Sequence, residues 1–389
     1  VSSELKREIG VAGAVLLGLG SILGTGVFVV IGLSVDMAGA AVLGAILIAA
    51  LVATCNGLNS AQLAANFPVA GGTYEYGYRL LTPAFGFTAG WMFLLAKSAS
   101  AAAAALAIAR RFAWDEGWLI PGALAVIAVM TLIILGGLRR TSLVNLLIVS
   151  VTLLALLVTI ALGLEADGPL TSASPGMGGF FEVCALIFVG YTGYGRIATM
   201  GGEIRDPARN IPVAMLLTLG TSALLYLGVA WAQLKGVPTP ALWKAGEVTA
   251  LLGVLLNLVL GLSRILYAMG RRNDMPARFG EIAPGGQPRA AILGVALLIG
   301  LLILFGDIGL AWSFSAFTVL IYYAICNLCA LRLDAGQAFY PRALGYAGLA
   351  SCVFLAFWVD WRAWSAGLVL IGLGLIWHRW RRQPCGEAV

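Results

Sequence analysis

Charge and histidine are what this sequence has least of. Only 11% of its 389 residues are Asp, Glu, Lys or Arg, and His378 is its one histidine. A soluble globular domain carries about 25% charged residues, so that class is excluded. With 60% hydrophobic residues and a mean hydropathy of +0.95, residues 1–389 read as a single polytopic membrane domain. Acids are missing from the middle of every apolar run, since Glu182 belongs to the outer end of one. A membrane enzyme would need a nucleophile with a base, paired carboxylates or metal ligands. A lone histidine near the inner end of the last run leaves little to build one from. Low-complexity tracts and soluble linkers are also absent, apart from a Gly-, Pro- and Ser-rich stretch at 165–178. Six cysteines are present, at Cys55, Cys184, Cys326, Cys329, Cys352 and Cys385. Cys326 and Cys329 have CxxC spacing, but on a helix and without a second ligand pair. Small helix-packing residues are the preferred reading over a metal or redox site. No metal and no cofactor is expected, beyond a coupling H+ or Na+.

What is present is a succession of apolar runs long enough to cross a bilayer. Twelve spans are expected, at about 10–32, 39–64, 83–109, 120–137, 142–164, 179–200, 212–235, 245–271, 290–306, 309–332, 343–359 and 362–380. The start, 1–10, is polar and leads directly into a span, so no signal peptide is expected. With the N-terminus inside, sixteen Lys and Arg fall in cytoplasmic segments, among them Lys6, Arg7, Arg139 and Arg140, against five in outer ones. That bias predicts both termini in the cytoplasm. Arg110 and Arg111 violate it, and Asp115 and Glu116 follow as a local offset.

Two glycine-rich interruptions stand out. The first is 18–26, GLGSILGTG, in span one; the second is 190–195, GYTGYG, in span six. Broken helices at corresponding places in two repeats point to a transporter's binding site. They lie five spans apart, which implies an inverted pair of repeats, about 10–164 and 179–332, with 343–380 appended. Where a helix restarts after a break, free N–H groups and the positive dipole end face the gap, which suits a carboxylate. Gly24, Thr25 and Gly26 are the candidates, Thr25 adding a hydroxyl, while the carbonyls of Ile22 and Leu23 can receive an ammonium. The alternative is close helix packing through Gly20 and Gly24. In the second break Gly193 lies between the carbonyls of Val189 and Thr192, which would face the same cavity. Tyr191 and Tyr194 either shape and close the pocket or anchor at an interface.

Four segments resemble the amino acid–polyamine–organocation transporter superfamily, nearest its cationic amino acid transporter and bacterial permease branches. They are LGLGSILGTGVF (17–28), QLAANFPVAGGTYEY (62–76), YTGYGRIATMGGEIRDPARNIP (191–212) and SRILYAMGRRNDMP (263–276), in order across the first eight spans. The resemblance implies an all-α integral membrane protein with the LeuT-like 5+5 inverted-repeat fold, broken helices 1 and 6, and twelve transmembrane helices. It also implies alternating access and amino acid substrates, by symport or exchange. By position, Ile22, Thr25 and Gly26 match the family's substrate contacts in span one, and Val189 and Thr192 its backbone contacts in span six. Many members carry a lysine in span five for proton coupling; Thr152 stands there. Val189 replaces the usual aromatic gate residue, with Phe188 beside it. Gly195, followed by Arg196, replaces an acid that often follows the second break.

Two cations lie within spans, Lys97 in span three and Arg196 in span six. Such charges normally face a cavity or a partner. Either one replaces the missing lysine as the charge near the cavity, or Lys97 packs on a non-pore face and Arg196 snorkels or pairs with Glu203. With no mid-span acid to balance a cationic side chain, the expected substrate is a neutral or acidic amino acid. Asn257, in span eight with Ser263 and Arg264, faces the pore or bonds a neighbouring helix, and Asn327 in span ten has the same choice. Segments 67–78 and 203–209 read as structural or gating elements. The expected setting is a lipid bilayer, the bacterial inner (plasma) membrane, with no nucleic-acid partner. A channel and a non-transporting amino acid sensor of the same fold are the rivals, separated from a transporter by flux measurements.

Overall fold

The computed structural model describes residues 9–67, 71–112, 115–136, 141–168, 176–199, 204–237, 241–283 and 286–382. Lys6, Arg7, Arg139, Arg140, Glu203, Cys385 and residues 169–175 of the stretch 165–178 lie outside the described residues. Among the described ones there is no strand, only two isolated bridges. The helices are α1 (Val11–Ile22), α2 (Ile31–Ala38), α3 (Val42–Asn66), α4 (Thr73–Leu80), α5 (Pro83–Phe112), α6 (Leu119–Leu135), α7 (Thr141–Glu165) and α8 (Met177–Tyr191). After them come α9 (Gly195–Thr199), α10 (Pro207–Leu234), α11 (Ala241–Arg271), α12 (Arg289–Ile303), α13 (Ile308–Leu331), α14 (Arg342–Ala356) and α15 (Trp361–Arg382).

Every expected span contains a helix, but not every helix is a full crossing. Eight helical stretches among the described residues are long and apolar enough, the first of them Gly26–Asn66. A ninth counts if α14 and α15, bent by 115° at their junction, form one span. At 1.5 Å per residue, α1 and α12 reach only about 18 and 22 Å, short of a roughly 30 Å hydrocarbon core.

Burial follows side-chain size. The stretch Ala101–Ala102–Ala103–Ala104–Ala105 on α5 is fully buried. Small residues let backbones approach closely where lipid gives no hydrophobic drive, so α5 sits at the centre against α13. On α6 and α7, Leu132, Ile133, Leu157 and Leu164 are exposed, an apolar face suited to lipid.

Helix neighbours follow a rule. Exchange α1 with α8, α3 with α10, α5 with α11, α6 with α12 and α7 with α13. Then the pair α5–α13 becomes α11–α7, α3–α8 becomes α10–α1, and α5–α6 becomes α11–α12, all of which are in contact. The pairs α3–α10, α5–α11 and α6–α12, which the exchange leaves unchanged, are also in contact.

Two polar features correct or resolve the sequence reading. Arg111 does not turn to Asp115 or Glu116; its Nε donates to Glu247 Oε2 of α11 at 2.8 Å, while Asp115 caps the Gly117 amide. The partner lies far along the chain, so no local charge pattern points to it. Asn327 is fully buried and bonds neighbouring helices: its amide donates to Asn56 Oδ1 at 2.6 Å and its oxygen accepts from Asn59 at 2.8 Å. Cys326 Sγ lies 3.3 Å from Ser60 Oγ.

At one end of the bundle, α4, the turn after α11 and α15 meet on a buried carboxylate. Asp274 is 1% exposed. Its Oδ2 accepts from Tyr74 and Tyr78, each at 2.6 Å. His378 Nδ1 lies 3.3 Å from Oδ1, and Trp377 donates to the Asp274 carbonyl at 2.8 Å. Burial first, and the carboxylate second, push both phenols above their ordinary value, so they stay protonated as donors.

Candidate functional site

The two glycine-rich stretches do meet, but they are built differently. In the first, α1 stops at Ile22 and Leu23 turns extended (φ −78°, ψ 90°). Helical geometry resumes at Thr25, followed by a π-helical segment at Gly26–Val30. The second is not unwound. Thr192–Tyr194 form a 3-10 turn between α8 and α9, with Thr192 at φ −66°, ψ −1°. Such tightening replaces one set of backbone bonds with another and frees fewer groups. The Thr192 amide donates to the Val189 carbonyl, which also accepts from Thr192 Oγ1 at 2.6 Å. The Val189 carbonyl is therefore engaged locally instead of facing a cavity.

Backbone abuts backbone at two places. A Cβ on Gly26 would come within 2.8 Å of the Gly190 Cα, and one on Gly193 within 2.4 Å of the Ser21 carbonyl oxygen. Real Cβ contacts are not that short, so only glycine fits. Gly24 is in turn packed on Val254 of α11. The Tyr226 hydroxyl of α10 joins the two stretches, 3.2 Å from the Ile22 carbonyl and 3.1 Å from the Gly190 carbonyl. Its single proton serves two acceptors, and one of them is a carbonyl set loose by the first break. Tyr226→Phe is expected to lower the melting temperature of the purified protein by the equivalent of about 1–3 kcal/mol, the cost of leaving a buried acceptor unpaired. An unchanged melting curve would show that the bridge holds nothing.

Beside this junction lies a cavity of ≈ 130 Å³, lined by Ser21 of α1, Gly71, Phe93 and Lys97 of α5, Thr192, Gly193, Gly195 and Arg196, and a face of α11. That is room for several waters or one small solute. Val254, Asn257, Gly261 and Arg264 recur on α11 at three- and four-residue spacing, which puts them on one side of the helix. Arg196 reaches this face of α11: a Cβ on Gly261 would be in ordinary contact with it, 3.6 Å from a guanidinium nitrogen. Lys97 is buried, and its Nζ donates to Thr192 Oγ1 at 2.6 Å. Arg196 donates to the Asn257 carbonyl at 3.4 Å.

The cavity thus gathers Lys97, Thr192, Gly193, Arg196 and Asn257 from the candidates named by sequence. Ile22, Leu23, Gly24, Thr25, Gly26 and Val189 are buried beside it but do not line it. Thr25 Oγ1 is buried without a hydrogen-bond partner among the described residues. Phe188 and Tyr194 pack against the Tyr323 ring of α13, at 5.8 and 5.5 Å, and Tyr191 against Tyr226 at 4.9 Å. All three are fully buried, so they sit inside the protein and not at an interface with the headgroups. Thr152 bonds its own helix, donating to the Ile148 carbonyl at 2.7 Å. Tyr226 is a residue that no motif singled out, and Arg264 was named in span eight without a role at the cavity. The only hint of Tyr226 was a polar hydroxyl inside an apolar run.

A family model described as amino acid permease matches residues 13–247 and 239–378. The chain is 35% identical to an uncharacterized transporter of Mycobacterium tuberculosis, over 98% of this chain and 93% of the other. It is 27% identical to the branched-chain amino acid permease BcaP of Bacillus subtilis, over 96% and 92%. It is 25% identical to the vacuolar cationic amino acid transporter 4 of Arabidopsis thaliana, over 85% and 64%.

Proposed function

The chain belongs to the amino acid permease family, and from that premise we propose that it moves neutral or acidic amino acids across a bacterial plasma membrane by alternating access. It is a membrane transporter, as its relatives are by name, and not an enzyme. One observation carries the reading. Two glycine-rich interruptions from distant parts of the chain abut, backbone against backbone, beside a polar cavity.

The architecture of the proposal is twelve spans in two inverted repeats, LeuT-like, with both termini cytoplasmic. The pairwise exchange of helix neighbours supports the two repeats, and an odd repeat length makes them inverted. The amino acid's carboxylate takes the N–H groups at 24–26 and its ammonium the carbonyls of Ile22 and Leu23. In the conformation described here those groups are closed off, because Gly26 rests on Gly190 and Tyr226 holds the Ile22 carbonyl. Substrate reaches them when the two stretches part, which is the motion that rocking of one bundle against the other supplies. The unpartnered Thr25 hydroxyl supports a polar ligand at that place. Transport is coupled to a proton or sodium ion or runs as exchange. With Thr152 engaged by its own helix, Lys97 is the candidate for the charge that coupling requires. Its ammonium already touches the second stretch.

The relatives' names speak of branched-chain and cationic amino acids. A cationic side chain would meet Lys97, Arg196 and Arg264 in this cavity, which disfavours it here. Purified protein in proteoliposomes is expected to show saturable uptake of at least one labelled neutral or acidic amino acid and none of arginine. Arginine uptake, without any of the others, would overturn the assignment.

A further inference from the structure

The cavity occupies one half of the seam between α5 and α11. Its α11 lining runs from Val254 to Ile265, and its α5 lining is Phe93 and Lys97. On both helices this is the stretch from mid-helix towards the end where Gly77 of α4 abuts Gly86 of α5 and Asp274 follows α11. Arg264, which lines the cavity, is exposed, and Gly71 beside α4 lines it too, so the opening is at that end. The other half of the seam is filled by contacts on the first turns of α11. Trp243, Gly246 and Glu247 recur there at three- and four-residue spacing, on one side of the helix. The buried Trp243 meets the ring of Phe28, in the π-helical segment after the first break, at 4.6 Å. A Cβ on Gly246 would lie 2.4 Å from the Ala155 Cβ of α7. Glu247 is 7% exposed, and its Oε2 accepts from Arg111 Nε at 2.8 Å and from Nη2 of the same guanidinium. From Glu247 to Val254, where the cavity begins, α11 rises about 10 Å.

We propose that the Arg111–Glu247 pair, backed by Phe28 and Trp243, is a latch that closes the cavity from the end opposite α4. Its role as a gate in transport rests on the transporter reading and deepens it. An ion pair suits a latch for a physical reason. Its attraction is largely offset by the penalty of drying both charges. Removing one partner strands the other in a water-poor site, which is strongly unfavourable. When α5 and α11 part, both charges regain water together and the drying penalty disappears. An apolar plug gains nothing on meeting water. Arg111 is exposed while Glu247 is buried, so one side of the pair is already in contact with the surroundings. Phe28 lies two residues beyond Gly26, in the helical segment that restarts after the first break. Movement of that stretch therefore reaches the latch through the Phe28–Trp243 contact.

Ser21→Cys puts a thiol in the cavity wall. Its reaction with a membrane-impermeant maleimide is followed in intact cells and in inside-out vesicles, with the chain lacking that substitution as the control for native cysteines. One face is expected to label quickly, through the opening beside Arg264, and the other at least about tenfold more slowly, the scale of one charge-assisted hydrogen bond. Glu247→Gln and Arg111→Gln are each expected to speed labelling from the slow face by about tenfold. Arg111→Lys keeps the charge and is expected to stay close to the intact latch. A pair with a merely structural role would lower the melting temperature without changing the ratio of labelling between the two faces. Should Glu247→Gln fail to fold, the two variants of the exposed Arg111 decide. Equal labelling from both faces with the latch intact, or slow-face labelling that neither Gln variant changes, overturns the latch and leaves the transporter reading standing. Arg111→Lys labelling as fast as Arg111→Gln overturns the role of the charge. Absence of flux for every amino acid, beside labelling that depends on the latch, overturns the transporter reading and with it the gate's role in transport.

Discussion

Gly193→Ala is expected to lower amino acid uptake by about a hundredfold, the equivalent of ~2.7 kcal/mol. The added methyl would sit 2.4 Å from the Ser21 carbonyl oxygen and 2.5 Å from its carbon. Both are backbone atoms at the end of α1, so no rotamer change relieves the overlap. Overpacking of this kind costs about 1–3 kcal/mol when side chains can adjust, and here the two stretches must move apart instead. The conformation with Ser21 against the 3-10 turn is then disfavoured, and a cycle that passes through it slows. Gly26→Ala repeats the test at the other contact, where the obstacles are the Gly190 Cα and the Tyr226 hydroxyl. The measurement is the initial uptake rate in proteoliposomes, beside a melting curve for the same preparation. A Gly193→Ala protein with wild-type uptake would show that the close approach plays no part in transport.

Asp274→Ala is expected to destabilise the protein by about 2–6 kcal/mol, from two phenol donors left unpaired at about 1–3 kcal/mol each. The carboxylate is almost wholly buried, and two phenols share one of its oxygens. Removing it leaves both hydroxyls without their acceptor and takes the facing carboxylate away from His378. Three parts of the chain lose their common anchor at once: α4, the turn after α11, and α15. Asp274→Asn keeps the shape and one acceptor oxygen, so it should fall between wild type and alanine. Thermal unfolding in detergent measures both. A melting temperature for Asp274→Ala within about a degree of wild type would show that the contacts are incidental.

How much of this was readable beforehand depended on distance along the chain. Apolar runs and glycine clusters are local properties, and they marked the helices and both interruptions. Lys97 and Arg196 were conspicuous because charge is scarce in apolar runs, and both line the cavity. Arg264 was noted but not connected to them. Only the proximity of α11 to α5 and to the second stretch puts it on the same wall. Tyr226 lies 36 residues from Gly190 and 204 from Ile22, and nothing in its neighbourhood announces that it joins them. Glu247 was hidden from Arg111 in the same way. The second interruption shows the limit of glycine content as a guide. Glycine permits unwinding without compelling it, and here a 3-10 turn satisfied the backbone.

By itself the sequence determined the membrane class, the helical content and the family, because each is a sum over local composition and short motifs. It also located the two glycine-rich stretches. Only the tertiary structure decided that these stretches touch, that one phenol bridges their carbonyls, and that Lys97, Arg196 and Arg264 line one cavity. Those facts depend on which helices lie side by side. In a bundle this apolar, the choice is made by the fit of small residues over long sequence separations, and no local stretch of the chain carries it.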